Sequence, residues 1–246
     1  MKIEIVLPIL NEEKSLSQQV GHLKDYLKTH EGQGNTFQLT IADNGSTDRS
    51  PLIGAEIANS IEGVKYLKIG QRGVGLALKK SWLDSDADII GFMDLDFATD
   101  LKHLEQCWEI LSQKEYDIVC GTRNKQHSHV INRSLRRTFI SRVFNVLIKT
   151  IFHTKFTDGM CGFKFLKRES LSIILENGIG FDDWFFSTEL LIVAEYVNLS
   201  IYDLPVTWTD DRNSKVKILE LTKMYLIDMI RLKGMLRKKS ALRAKE

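Results

Sequence analysis

Residues 86–96 read DADIIGFMDLD. The run Ile89–Met93 is apolar and uncharged, with the length of a strand buried on both faces, and an Asp-x-Asp pair stands on either side of it. In an open parallel sheet, ligands collect beyond the carboxyl ends of the strands. Asp94 and Asp96 follow the run and fall at that edge. Asp86 and Asp88 have the same spacing but precede the run, so they belong to the opposite edge. Four more runs have this character: Ile3–Leu7, Leu39–Ala42, Val64–Ile69 and Ile118–Cys120. Amphipathic stretches of helical length separate them. Such βαβ alternation predicts an α/β fold, a mostly parallel, Rossmann-like sheet with helices on both faces.

Residues suited to binding follow each run. After the first come Pro8, Asn11 and Glu12; after the second, Asp43-Asn-Gly-Ser-Thr-Asp48; after the third, Gly70-Gln-Arg72-Gly73-Val-Gly75. Two carboxylates at a strand end can hold Mg2+ or Mn2+ against a diphosphate, which makes Asp94 and Asp96 the candidate metal ligands. Asp43 is placed to accept hydrogen bonds from a base or ribose, and Thr47 or Asp48 to cap the next helix. Gly73 and Gly75 fall short of a dinucleotide fingerprint, because Leu78 stands at the third glycine position. They predict a backbone turn near a nucleotide, with Arg72 as a phosphate contact.

The chain has 246 residues, 43% of them hydrophobic and 27% charged, with three prolines. That composition excludes a disordered chain and fits one α/β domain. Cys107, Cys120 and Cys161 form no C-x-x-C pair, so neither a disulfide framework nor a cysteine zinc site is expected. The start, Met1 to Pro8, lacks the apolar run of a signal peptide. Charges such as Arg142, Lys149, Asp228 and Arg231 interrupt every apolar stretch long enough to span a bilayer. A cytoplasmic protein, peripheral on the membrane face, is expected. Net charge is only +2, yet no Asp or Glu occurs from Ile118 to Thr157. Within that segment, residues 132–152 combine arginines with Phe139, Val143, Phe144, Leu147, Ile148, Ile151 and Phe152. This is the composition of an interfacial helix on an anionic membrane surface rather than of a nucleic-acid site. His127 and His129 read as a solvated loop.

Taken together and in order, Pro8…Asn11-Glu12, Asp43-x-Gly-Ser, Arg72-Gly-x-Gly-x-Ala77, Asp94-x-Asp96 and Gly121-x-Arg123 resemble family 2 glycosyltransferases. The later half, with Arg133…Arg137…Ser141, Asp158-x-x-Cys-Gly162-Phe163-Lys164, Asp183-Trp-Phe-Phe-x-x-Glu189 and Trp208…Arg212-x-Ser214-Lys215, is similar to the dolichyl-phosphate mannose and glucose synthase branch. The resemblance implies a GT-A fold over residues 1–232, with a nucleotide-sugar-binding half at 1–122, an acceptor and membrane-interface half at 123–232, and a basic tail at 233–246. It implies a nucleotide-sugar donor of the GDP-mannose or UDP-glucose type, a polyprenyl phosphate acceptor, a divalent metal and inversion at the anomeric carbon. On this likeness Asp43 contacts the nucleoside, and Asp94 and Asp96 form the metal-diphosphate site. Arg123 and Arg137 surround the acceptor phosphate, and Arg212 and Ser214 form a phosphate-binding loop. Two positions depart from the pattern: Asn44 replaces the second acid of the usual Asp-Asp-Gly-Ser, and Ala98 stands where many mannose synthases carry a metal-binding Gln. A phosphate acceptor is already anionic and needs no base. Glu189 would serve a hydroxyl acceptor as base, or else position the arginines. The competing readings are a family 2 enzyme acting on a glycan, lipid or protein hydroxyl, and a nucleotide-sugar-binding protein without turnover.

Overall fold

The computed structural model describes residues 1–32, 34–210 and 218–243, with side chains in the last helix described from Lys223 to Leu242. In chain order the elements are β1 (Lys2–Ile9), α1 (Leu16–Lys28), β2 (Thr36–Asp43), α2 (Ser50–Ser60), β3 (Val64–Lys68), α3 (Val74–Leu83), β4 (Ile89–Met93) and α4 (Lys102–Ser112). There follow β5 (Ile118–Thr122), β6 (His129–Ile131), α5 (Leu135–Phe152), β7 (Phe163–Lys167), α6 (Arg168–Asn177), α7 (Phe186–Tyr196), β8 (Ile201–Pro205), β9 (Thr207–Thr209) and α8 (Ile218–Arg243). The main sheet has the order β3-β2-β1-β4-β7-β5-β8. β1 pairs in parallel with β2 and β4, β2 with β3, and β5 with β8. β7 runs antiparallel between β4 and β5.

All five apolar runs read from the sequence are strands. β1 and β2 reach further than their apolar cores, because Pro8 to Ile9 and Ala42 to Asp43 continue the same ladder. Pro8 lacks an N–H, which a central strand cannot ordinarily spare. It lies past Val6↔Phe92, where the pairing with β4 has ended, so its missing donor falls on an open side. β7 was not foreseen. It enters the sheet antiparallel and carries Lys164, which is buried, donates from Nζ to the Cys161 carbonyl at 2.5 Å and lies 5.7 Å from the centre of the Phe92 ring.

Helices cover both faces, as expected for buried parallel strands. Leu16, Val20, Leu23 and Leu27 of α1 pack with Leu104, Cys107, Trp108 and Leu111 of α4 on one face. On the other, Val74, Leu78 and Trp82 of α3 join α5, α7 and α8 through Phe144, Ile148, Phe186, Leu190, Tyr225 and Met229. α5 starts three residues after the stretch at 132–152 begins, where the Ser134 hydroxyl accepts from the Arg137 N–H. It stops at His153, whose φ of 59° is left-handed. α5 and α8 run side by side in the same direction: the Phe144 and Tyr225 rings lie 5.6 Å apart, and one to two turns on, Lys233 Nζ donates to the Ile151 carbonyl at 2.5 Å. α8 runs through residue 232 without a break, because Leu236 is buried in the core and Ser240 hydrogen-bonds Tyr196 at 3.0 Å.

Gly91 lies opposite Phe165 across the β4–β7 pairing, and a Cβ there would run into the Phe165 ring. The ring covers the space the glycine leaves. Gly91→Ala should lower the unfolding free energy by about 1–3 kcal/mol through overpacking. Chemical denaturation should also recover part of that loss when Phe165→Leu is added; additive losses would mean the ring does not fill this space.

Candidate active site

Because β1 to β4 are parallel and β7 is antiparallel, one sheet edge gathers the ends of β1, β2 and β4, the end of β5 and the beginning of β7. Asp94 and Asp96 stand at this edge. Asp88 is at the other, accepting from the Lys2 N–H at 2.8 Å, with Asp86 paired to Lys2 Nζ at 2.5 Å. Asp94 is partly buried beneath the start of β7, its N–H donating to the Gly162 carbonyl at 3.2 Å. A Cβ on Gly162 would occupy the place of the Asp94 carboxylate. Asp96 is exposed, and its Oδ1 accepts from the Ala98 N–H at 3.0 Å. Burial first, and the like charge of Asp96 second, push the Asp94 carboxyl up to about 7, against the pull of Lys164 and Arg123. A buried acid raised by a like charge beside it is poised for a cation.

Among the described residues, no cluster of three or more His, Cys, Asp or Glu side chains could hold a metal. The protein's share of such a site is thus the Asp94–Asp96 pair. That fits Mg2+ or Mn2+, hard ions that take one or two carboxylates and complete their shell with phosphate oxygens and water. Ala98 contributes its backbone: its N–H caps Asp96, and its carbonyl accepts from the Thr209 N–H of β9 at 2.8 Å.

The nucleotide side is built by side chains that bind loop backbone. The Asn11 amide oxygen accepts from the Thr47 N–H at 2.8 Å, Ser46 Oγ accepts from the Asn11 N–H at 2.9 Å, and Ser50 Oγ from the Glu12 N–H at 2.8 Å. Asn11 reaches this geometry at a φ of 58°, a region that Asn tolerates. Glu12 accepts from the Ser15 hydroxyl at 2.9 Å. Asp43 is not the free acceptor expected. It is buried, with Oδ1 taken by the Ser46 N–H and Oδ2 by the Tyr66 hydroxyl, both at 2.7 Å. Asp48 does serve α2, accepting from the Ser50 N–H at 2.9 Å. Asn44 accepts from the Gly73 N–H, and its amide oxygen organises the turn before α3. The N–H groups of Gly75 and Leu76 go to the carbonyls of Asp183 and Asp182 at 3.1 and 3.0 Å. A Cβ at Gly73 would lie 2.6 Å from the Asp182 carbonyl oxygen, so the glycines serve this close approach. Arg72 is exposed, with no ion pair among the described residues.

Among the described residues, Glu189 pairs with no arginine. It is buried, and its carboxylate accepts from the N–H groups of Ile179, Gly180 and Phe181 at 2.5, 3.0 and 2.9 Å. Burial holds its carboxyl above the ordinary range while these donors oppose the shift. It fixes the loop that packs on Gly73 and Gly75.

On the acceptor side the arginines have unequal roles. Arg123 is a buried member of an ion pair: Nε and Nη2 donate to the two oxygens of Asp158 at 2.7 and 3.0 Å, and its guanidinium stacks on Trp208 with 4.6 Å to the ring centre. Although burial acts against it, this pairing holds the Asp158 carboxyl below its ordinary range. Arg137 donates from Nη1 to both oxygens of Asp210 at 2.8 Å. Arg133 is different. Its Nε is buried without a hydrogen-bond partner, and burial followed by the charge of Arg123 brings its guanidinium down to about 10. Arg133 thus has no acid partner of its own among the described residues. Arg212 and Ser214 lie outside the described residues. Asp158, Lys164 and Asp210 escaped assignment in the sequence, since each acts on a residue distant along the chain. A groove of about 900 Å3 lies against α7 and α8 and is lined by none of these site residues.

Comparison with known proteins agrees with this geometry. The chain is 27% identical to the glycosyltransferase AglD of Haloferax volcanii over 89% of its own length and 35% of that protein's. To the dolichyl-phosphate beta-glucosyltransferase of Mus musculus it is 27% identical over 87% of its length and 69% of that enzyme's, and to the Homo sapiens enzyme of that name 26% over the same shares. The chain thus spans about a third of AglD and about seven tenths of the dolichyl-phosphate enzymes. Among solved structures, glucosyl-3-phosphoglycerate synthase from Mycobacterium tuberculosis, in complex with Mn2+, UDP and phosphoglyceric acid, superimposes with a TM-score of 0.68 at 17% identity, covering 96% of this chain and 78% of that one. It shares the fold, a GT-A sheet. With the acid pair at the carboxyl edge of such a sheet and residues 4–174 matching the family Glycosyl transferase family 2, the chain belongs to glycosyl transferase family 2.

Proposed function

We propose that this chain transfers a hexose from a nucleotide diphosphate sugar to a polyprenyl phosphate, with inversion at the anomeric carbon, while resting on an anionic membrane surface. The observation that carries this reading is the pairing of opposites at one sheet edge. Asp94 and Asp96 suit a cation and a diphosphate, and Arg133 has, among the described residues, no acid partner of its own. Among the donors, UDP-glucose is favoured, since the dolichyl-phosphate relatives are glucosyltransferases by name.

In this reaction an oxygen of the acceptor phosphate attacks the anomeric carbon, the bond to the diphosphate breaks, and the nucleoside diphosphate leaves with the electron pair. The nucleophile is anionic at neutral pH, so no proton must be removed. A divalent ion held by Asp94 and Asp96 supplies charge neutralisation at the leaving diphosphate. Arg133 and Arg137 offset the repulsion as a second anion approaches. A hydroxyl acceptor would need a base, and Glu189 is committed to the backbone of its own loop.

Incubation with labelled UDP-glucose and, in parallel, labelled GDP-mannose, each with a short-chain polyprenyl phosphate, should give with UDP-glucose a glucosyl lipid from which mild acid releases the sugar. An acid-stable product would favour a hydroxyl acceptor instead. Asp96→Ala or Asp94→Ala, or removal of divalent metal by chelation, should cut transfer more than ~100-fold, because several kcal/mol of transition-state stabilisation is lost. The melting temperature should hardly move, and Asp88→Ala should leave the rate unchanged. Arg133→Gln should raise the KM for polyprenyl phosphate about 10–100-fold, as for loss of a hydrogen bond to a charged group, with the Kd for donor unchanged. A rise in donor Kd alone would move Arg133 to the diphosphate.

The membrane reading rests on α5. No helix of the described residues is long and apolar enough to cross a bilayer. The face of α5 that meets solvent differs from the one the sequence predicted: Phe144 and Ile148 are in the core, and Leu147 is partly covered. Phe139 and Val143, which the sequence also placed on that face, are exposed, and Leu135 and Val146 join them, Phe139 by 69% and Val146 by 61%. Combined Phe139→Glu and Val146→Glu should lower partition onto vesicles of mixed neutral and anionic lipid at least ~10-fold in a flotation assay. High salt should weaken wild-type binding. Equal partition of the two proteins would remove α5 from the interface.

A further inference from the structure

A cleft of about 510 Å3 opens beside the exposed strip of α5, between that helix and the segment that leaves β5. Arg142 and Lys149 line it from the helix, Asn124 and Lys125 from the β5 side, and Thr157 from the segment before β7. No acid lines it. Lys125 has a distant partner in Asp203, at 3.7 Å, but Arg142 and Lys149 form no ion pair among the described residues. Val146 belongs both to the cleft and to the apolar strip, so a cationic recess adjoins a surface suited to acyl chains. Arg123 and Asn145 also line the cleft; Arg123 is held there by Asp158 at 2.7 Å, while Arg137 is held by Asp210 on the β9 side of α5.

We propose that this cleft binds the phosphodiester headgroup of an anionic membrane phospholipid, a lipid that docks the protein and is not its substrate. The proposal rests on the reading that α5 lies on the bilayer. The chemistry follows from the geometry. A headgroup phosphate sits at the boundary between water and acyl chains, and the recess sits at the boundary between the α5 cations and the apolar strip. Arg142 can meet two phosphate oxygens with its planar fork, while Lys149, seven residues further and on the same side of the helix, adds a point charge. Asn124 and Thr157 offer groups for the uncharged part of the headgroup. In docking through this recess, α5 would lie along the bilayer surface with Phe139 and Val143 turned to the lipid.

The test separates a built recess from general attraction to negative charge. Wild-type protein is titrated with short-chain phosphatidylglycerol below its micelle concentration, and with phosphatidylcholine of equal chain length. Nuclear magnetic resonance shifts are followed at the Asn145 and Thr157 amides. Saturable shifts with phosphatidylglycerol, absent with phosphatidylcholine and lost in Arg142→Gln with Lys149→Gln, are expected. Vesicle binding should lose about 30-fold of its preference for anionic lipid in the same variant. Arg136→Gln with Lys238→Gln, the same charge removed elsewhere on the exposed surface, should cost much less. Transfer to a soluble short-chain polyprenyl phosphate should proceed at the wild-type rate in both variants. Equal losses in the two double variants, or shifts reproduced by inorganic phosphate at the same concentration, would overturn a headgroup site. Loss of soluble transfer would assign the recess to the acceptor. If α5 does not rest on membranes, vesicle binding fails for every protein, while the short-chain titration still reports on the recess.

Discussion

The close contact between the Asp94 carboxylate and Gly162 decides how the two halves of this molecule meet. β4 ends and β7 begins at the same point of the sheet edge, so the acid that follows β4 lies directly on the backbone that opens β7. Any side chain at residue 162 would displace it. The contact also removes Asp94 from water, and with Asp96 beside it the carboxyl is raised to about 7. Lys164, two residues into β7 and buried, keeps that arrangement from being purely repulsive. The antiparallel strand thus does more than fill the sheet: it brings a glycine and a lysine beneath the acid pair.

A similar economy governs the charges. Each buried ionic group near the edge has its counterpart, Arg123 with Asp158 and Arg137 with Asp210, as burial requires when a charge is removed from water. Arg123 therefore acts mainly on structure. It ties the end of β5 to the segment before β7 and, through its stacking on Trp208, to β9. Among the described residues, Arg133 has no acid partner of its own. On the donor side the acids and amides likewise hold backbone: Asn11, Asp43, Asn44 and Glu189 each lock a loop, and the cleft is shaped before any nucleotide arrives.

What could be read from the sequence was what short range determines. Ile89–Met93 and the other apolar runs reveal themselves as strands, and parallel topology then places Asp94 and Asp96 at one edge and Asp86 and Asp88 at the other. β7 stayed hidden because FKFLK alternates lysines with aromatic residues, the pattern of a strand with one wet face, whereas both its faces are covered and Lys164 is buried. The roles of Arg123 and Glu189 could not be read either. Asp158 lies 35 residues from Arg123, and the donors to Glu189 are backbone groups of a loop with no sequence signature. The face of α5 was misjudged for another reason. Apolar residues occupy most of its circumference, so periodicity alone does not say which side α8 covers.

The parallel course of α5 and α8 has an electrostatic consequence beyond packing. Peptide dipoles add along each helix and leave a partial positive charge at its amino end. Antiparallel neighbours would cancel much of that field, but these two helices point the same way, so their positive ends add. The amino end of α5 is the end at which Arg137 meets Asp210, on the acceptor side of the sheet edge. An anion arriving there encounters a favourable potential fixed in the backbone itself, one that no side-chain substitution removes and that needs no reorientation when the anion binds.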